Sequence, residues 1–363
     1  MNRILIMETN NILEMVYMQM GELSDYKVIN TNSILNNIYI GRVEKIIKNS
    51  FAFITLDGVT GFIDITNKKE NFNAKVGDTI LVQVTKEGTA IKGPMVTTEI
   101  SLVGKNMILL YSNEKICRIS RKITKDENRN LLKEISEEFK HSVIFRSDIV
   151  FDKARLLEEY NSLEEKFDDI LKNHQYESKI KLLHKENHIE KFLYHSHDEV
   201  KTSSKEIYNE FKDKTNIIYD ETKDLFSTEY ISKKIEGFYS KKVWLKSGGF
   251  IIIEETEALT VIDVNTGKNS TSQKDKIIRK TNSEAVEEIA RQIKFRNISG
   301  IIIIDFIGSN NDYLIKPMKI ATKNDSQRVL IHGITTLGLM EITRKKTLDS
   351  ISKVPMNFRV KHI

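Results

Sequence analysis

The sequence predicts a multidomain α+β protein, and three patterns carry that expectation. Residues 37 to 100 alternate apolar and polar side chains with glycines at intervals (NIYIGRVEKI, FAFITLDGVTGFIDI, VGDTILVQVTKEG), the pattern of a small closed barrel of short antiparallel strands. Residues 124 to 215 are highly charged, and apolar residues recur every three or four positions (Leu156, Tyr160, Leu163, Phe167, Ile170, Leu171), as in helices with one packed face. Residues 240 to 345 hold four strong strand candidates, GGFIIIEE, ALTVIDVN, GIIIIDFIG and RVLIHGIT, with one helix at roughly 283 to 296 among them.

That helix has an apolar stripe of Ala285, Val286, Ile289, Ala290 and Ile293, and Thr281 with Glu284 has capping-box spacing ahead of it. Residues 1 to 36 add a few strands. A chain of 363 residues suffices for two or three cores, and its 40% hydrophobic and 29% charged content excludes disordered and fibrous classes. No apolar run approaches the roughly 20 residues of a membrane span, and MNRILIMETNN lacks the pattern of a cleaved leader. The expected location is therefore the cytoplasm.

Cys117 is the single cysteine, which excludes an intramolecular disulfide or a thiolate zinc cluster within one chain. The net charge of +5 favours polyanionic partners. Of the histidines between 174 and 197, only His184 and His188 stand at i and i+4. With no third ligand at matching spacing, no metal site is expected there.

Two apolar strands end in a carboxylate: Asp263 in LTVIDVN and Asp305 in GIIIIDF. A strand, a helix and a second strand over about 45 residues form a unit of the size that sets two strands side by side, which brings both carboxylates to one sheet edge. Adjacent carboxylates repel unless a cation lies between them. Mg²⁺ suits such a pair, because it takes oxygen ligands, keeps several waters and is commonly held by one or two carboxylates plus substrate phosphate. Asn265 offers a further oxygen or a means of orienting water.

In the barrel, Phe51 and Phe53 share a face by alternation, Phe62 follows, and Lys45, Lys48 and Lys92 lie nearby in sequence. Such a set either stacks nucleobases and neutralises phosphates or fills the barrel core, and periodicity alone leaves both open.

Several long motifs then point to one family. GRVEKIIKNSFAFITLDGVTGFI, KGPMVTTEISLVGKNMILL, ISRKI, LKSGGFIIIEETEALTVIDVNTGKN, TNSEAVEEIARQIKFRNISGIIIIDFI and GLMEITRKK resemble, in order, the signatures of the ribonuclease E/G family from about residue 37 to 346. The resemblance implies an RNase H-like subdomain in two parts (1–36 and 197–238) around an inserted S1-type OB barrel (37–100) and a 5′-sensor region (101–196). A DNase I-like α/β catalytic subdomain (239–350) and a C-terminal tail (351–363) would follow.

It further implies Mg²⁺ on Asp263 and Asp305, Asn265 as the active-site asparagine, and Arg328 near the scissile phosphate. RNA contacts fall on Phe53, Phe62 and Lys92, and a 5′-monophosphate sensor falls on Arg146 and Ser147. The implied activity is Mg²⁺-dependent endonucleolytic cleavage of single-stranded RNA, with a preference for 5′-monophosphorylated ends, in RNA processing and decay.

Three features depart from the family pattern. Gly308 stands where a further acid is usual, three residues after Asp305. The CPxCxGxG zinc link is missing, so neither zinc nor a zinc-linked dimer is expected, and homo-oligomers formed in other ways stay open. The loop TGKNSTSQKDKIIRK (266–280) diverges, and its lysines either follow an RNA backbone or face solvent. Gly308 and the missing link motivate an alternative, a catalytically weakened RNA-binding or regulatory paralogue.

Overall fold

Short, strongly patterned strands dominate the computed structural model, which describes all residues except 49, 67–71, 89–91, 112–114, 148, 223–224, 229–230, 268–273, 309, 324, 347–349 and 354–363. The chain divides into two compact units: residues 1–31 with 195–363, and residues 32–194 between them. The architecture is mixed α+β, with four sheets among the described residues.

Strands β1 (Arg3–Thr9), β2 (Ile12–Gln19) and β3 (Glu22–Asn30) form a meander joined by two-residue turns. Asn10 and Asn11 both have positive φ, as do Met20 and Gly21, and this backbone twist matches that of the flanking strands. The inserted unit begins with β4 (Ile38–Ile47), β5 (Phe51–Thr55), β6 (Thr60–Asp64), β7 (Thr79–Lys86) and β8 (Met95–Thr97). Their order is β4-β5-β6-β8-β7, and β7 pairs back onto β4, closing a five-stranded barrel compatible with an OB-like fold.

Beyond the barrel, β9 (Ser101–Val103), β10 (Met107–Leu110), β11 (Cys117–Ile119) and β12 (Ser142–Phe145) form a four-stranded sheet. The Lys153–Tyr176 helix packs on this sheet with Leu156, Tyr160, Leu163, Phe167 and Ile170, the stripe read from the sequence. The remainder of 124–215 is less helical than expected. Strand β13 (Lys181–His184) pairs with β4, while β14 (Glu199–Thr202) and β15 (Ile217–Tyr219) extend the first sheet parallel to β1. These are segments of three or four residues whose strand state is set by distant partners, which local periodicity does not reveal.

The last sheet contains β16 (Lys242–Trp244), β17 (Phe250–Glu255), β18 (Leu259–Asn265), β19 (Gly300–Asp305), β20 (Val329–Ile334) and β21 (Met340–Arg344), in the order β16-β17-β18-β19-β21-β20. The helix Lys274–Phe295 covers one face, setting Ala285, Val286, Ile289 and Ile293 against Ile251, Ile253, Ile262, Val264, Ile302, Ile304, Met340 and Ile342. It begins well before residue 283, so Thr281 is no N-cap. Thr281 lies buried inside the helix, and Glu284 instead accepts a hydrogen bond from the Ser247 amide at 2.8 Å.

Among the described residues Arg344 is the largest fully buried side chain. Its Nε and Nη2 donate to the two oxygens of Asp325 at 2.9 and 3.0 Å, and its Nη1 donates to Asn297 and the Ile298 carbonyl. Removing one partner of such a pair strands a buried charge, so Asp325→Ala is expected to cost roughly 3–5 kcal/mol of unfolding free energy in denaturant titration.

Asp25 gives a pH-dependent counterpart. Burial alone would raise its carboxyl pKa, but Lys27, a hydrogen bond from His195 at 3.1 Å, and Lys294 hold it well below the usual carboxylate range. A depressed folded-state value stabilises fully above the unfolded value of about 3.9 and is lost as pH falls below it. Thermal unfolding between pH of about 4 and 2 should therefore fall more steeply for the natural protein than for Asp25→Asn.

Candidate active site

The register of β18 and β19 builds the site. These two strands run parallel, and Asp263 stands directly opposite Asp305, so their Cα atoms are about 4.8 Å apart. Paired residues share a face, and this face is the one the Lys274–Phe295 helix leaves open. Thr260, Ile262 and Val264 point to the helix, while Leu259, Val261, Asp263 and Asn265 point away from it. Asp263 is half-buried and Asp305 is exposed, so neither carboxylate carries the full cost of burial that a strand-end charge suggests.

Asn265 Nδ2 donates to Asp263 Oδ2 at 2.8 Å, which orients the carboxylate and keeps one of its lone pairs occupied. Among the described residues no group of three His, Cys, Asp or Glu side chains is placed to hold a metal. Two acids and an amide oxygen fit a hard cation that keeps most of its waters.

Backbone approach shapes the rim. Gly249, in SGGF, lies so near β18 that a Cβ there would meet the Asn265 carbonyl at 2.7 Å and Thr281 at 2.8 Å. The segment after β19 is pinned from beneath by Asn282, which is fully buried. Its Nδ2 donates to the Ile307 carbonyl at 2.9 Å and its Oδ1 accepts from the Ile307 amide at 3.2 Å. Asn311 Nδ2 reaches the Gly308 carbonyl at 2.6 Å. Sequence reasoning missed both asparagines. A polar residue inside the apolar stripe of a helix was the available signal for Asn282.

Gly308 is exposed, at φ +89°, with nothing within 4 Å of where a Cβ would sit. Arg328 is not brought to the pair. It precedes β20, whose Val329 is in line with Arg344 and Gly300, the opposite end of β19 from Asp305. Five residues of strand separate the two ends, about 17 Å. The strand order, in which β20 runs parallel to β19, thus sets Arg328 at the end of the sheet away from the carboxylates. The divergent loop falls on residues 268–273, outside the described residues, and residues 274–280 are the first turns of the helix.

In the barrel the core-filling alternative fails. The core consists of Tyr39, Val43, Ala52, Ile54, Leu56, Ile63, Val82, Val84 and Val96, and Phe51, Phe53 and Phe62 lie on the outer face. Phe53 stands opposite both Phe62 and Lys45, and Phe51 meets Phe62 edge-on at 5.7 Å. Lys92 is exposed, two residues before Pro94, whose carbonyl accepts from the Phe62 amide.

At the proposed sensor, Arg146 is half-buried and its Nη1 donates to the carbonyls of Gly104 (2.8 Å) and Lys105 (3.3 Å). Ser147 follows in a turn. Glu159 fixes this corner by accepting from the Asn106 amide at 2.8 Å and from its side chain at 2.6 Å.

One chain thus combines a closed five-stranded barrel with outward aromatics and a mixed sheet that presents two registered carboxylates. The Ribonuclease E/G family model matches residues 101–347. The chain is 31% identical over 397 residues to a ribonuclease E/G-like protein of Porphyra purpurea, covering 98% of this chain and 77% of that one. It is 27% identical to ribonuclease G of Haemophilus influenzae (88% and 74% covered) and 26% identical to that of Escherichia coli K12 (89% and 75%). The chain belongs to the ribonuclease E/G family.

Asn282→Ala leaves the Ile307 amide and carbonyl unpaired beneath Asp305. It is expected to lower unfolding free energy by roughly 2–3 kcal/mol in denaturant titration.

Proposed function

We propose that this protein is a Mg²⁺-dependent endoribonuclease that hydrolyses phosphodiester bonds of single-stranded RNA, in RNA processing and decay. The observation that carries the reading is the Asp263–Asp305 pair in direct register on an open sheet face. Family membership and the relatives named ribonuclease G support RNA as the substrate. Asp263 and Asp305 would hold the metal, which supplies a lowered water pKa and charge neutralisation at the phosphoryl oxygens. Asn265 holds Asp263 in one orientation, so the carboxylate needs no reorganisation when a phosphate arrives.

The outward face of the barrel supports binding of unpaired RNA through Phe53, Phe62 and Lys92, because only splayed bases can stack. Arg146, with Ser147 beside it, offers a guanidinium for a 5′-monophosphate. Arg328 has no part in this proposal. We place the activity in the cytoplasm, in keeping with the absence among the described residues of any helix long and apolar enough to cross a membrane.

Gly308 favours a second reading, a weakened paralogue that binds RNA and cuts slowly, since a glycine there supplies no side-chain carboxylate to metal or water. Purified protein incubated with Mg²⁺ and a labelled unpaired RNA separates the two. Robust cleavage that is abolished in Asp305→Asn supports the enzyme, binding without cleavage supports the paralogue, and cleavage undiminished in Asp305→Asn removes the site. In the same assay Phe53→Ala is expected to weaken RNA affinity by about 1–3 kcal/mol with folding intact. Arg146→Ala is expected to narrow the rate difference between 5′-monophosphate and 5′-hydroxyl substrates, and a natural protein indifferent to the 5′ end would remove the sensor.

A further inference from the structure

The open face carries more than the carboxylates. Two rows of directly paired residues cross it: Lys242, Ile252, Asp263 and Asp305 in one, and Trp244, Phe250 and Asn265 in the next. Trp244 is 64% exposed although it is the bulkiest side chain type the chain has. The Lys242 ammonium lies 4.0 Å from the Trp244 ring centroid and 3.8 Å from that of Phe250, and the two rings meet at 5.4 Å and 65°. Among the described residues, no carboxylate lies within ion-pair distance of Lys242, so its charge rests on the rings and on solvent.

An exposed indole, a second ring behind it and a cation over both form a shelf two strands from Asp263, about 10 Å across the sheet. Neither the barrel nor the metal pair uses it. Its chemistry matches one occupant. A nucleobase stacks on an indole face regardless of its identity, and an adjacent ammonium offsets the phosphate attached to it. Exposed Lys246, two residues past Trp244, adds positive charge on the same segment. A structural role would call for an indole buried in the helix layer, and that place belongs to Val243.

We propose that Trp244, Phe250 and Lys242 form a base-stacking subsite, in which an unpaired nucleobase of the RNA strand near the cleaved bond stacks on Trp244 while Lys242 meets its phosphate. The subsite orients the strand so that the scissile phosphate arrives at Asp263 and Asp305. This rests on the reading of that pair as the RNA-cleaving site.

Trp244 is the only tryptophan in the chain, so its emission reports on the subsite alone. The Asp305→Asn protein is titrated with a labelled single-stranded oligoribonucleotide, with anisotropy reporting binding and tryptophan emission reporting stacking. Emission is expected to fall as the single strand saturates the protein, and to hold steady with inorganic polyphosphate or with a blunt duplex of the same sequence. In cleavage assays of the otherwise natural protein, Trp244→Ala is expected to lower kcat/KM about tenfold and Trp244→Phe by about threefold or less. One abasic nucleotide moved past the cleaved bond should cost the natural protein about tenfold at a single position and cost Trp244→Ala nothing further there.

RNA bound by anisotropy with emission unchanged, or no abasic position whose effect Trp244→Ala removes, overturns the subsite and leaves the cleavage reading standing. Quenching by single strands in a protein that cuts no RNA keeps the subsite and removes that reading.

Discussion

Everything proposed for the catalytic sheet depends on one register: Asp263 opposite Asp305 across the parallel pair β18–β19. Shifted by one residue, the carboxylates would point to opposite faces. What fixes the register is unusual, because β19 reads GIIIID and offers isoleucine to both faces. Apolar burial therefore barely distinguishes Ile302 and Ile304 facing the helix from Ile301 and Ile303 facing it. The tie is broken by Asp305 itself, since turning it inward would bury an unpaired charge at a cost of several kcal/mol. The residue to which the proposed chemistry assigns the metal is also the residue that orients its strand.

The helix side secures what the open side uses. Ile262, Val264, Ile302 and Ile304 are buried against the Lys274–Phe295 helix, each contributing roughly 1.5–3 kcal/mol. From the same helix, Asn282 reaches past Asp305 to hold Ile307, so the packing layer fixes the strand end as well as the strand. Gly249 lets β17 close onto Asn265, the residue that orients Asp263. The outer face is thereby left free of structural duties, and half-buried Asp263, exposed Asp305 and exposed Trp244 stand on a rigid sheet.

Much of this was legible in the sequence, and the reasons differ by element. The paired aspartates were readable because two long apolar runs each end in the same residue type, and the barrel because its alternation is regular. Which way the barrel phenylalanines face was not readable, since alternation gives a shared face without saying whether it is inner or outer; the apolar set Ala52, Ile54 and Ile63 decides it. The end of the sheet at which Arg328 stands depends on strand order, in which β21 intervenes between β19 and β20, and a single sequence carries no such information. The early start of the site helix was hidden by KDK (274–276), the polar residues that open it. Trp244 was overlooked because a three-residue edge strand has too little periodicity to assign its residues to a face.

The central claim is that Asp263 and Asp305 share one hard cation on the open face. Replacing that cation with Fe²⁺ and generating hydroxyl radicals from it cuts the polypeptide backbone only near the bound metal. Two fragment ends, mapped by mass spectrometry to the neighbourhoods of residues 263 and 305, lost together in either Asp263→Asn or Asp305→Asn and suppressed by excess Mg²⁺, are the predicted result. Cuts confined to other segments, or cuts at these two strands that survive both substitutions, would contradict it.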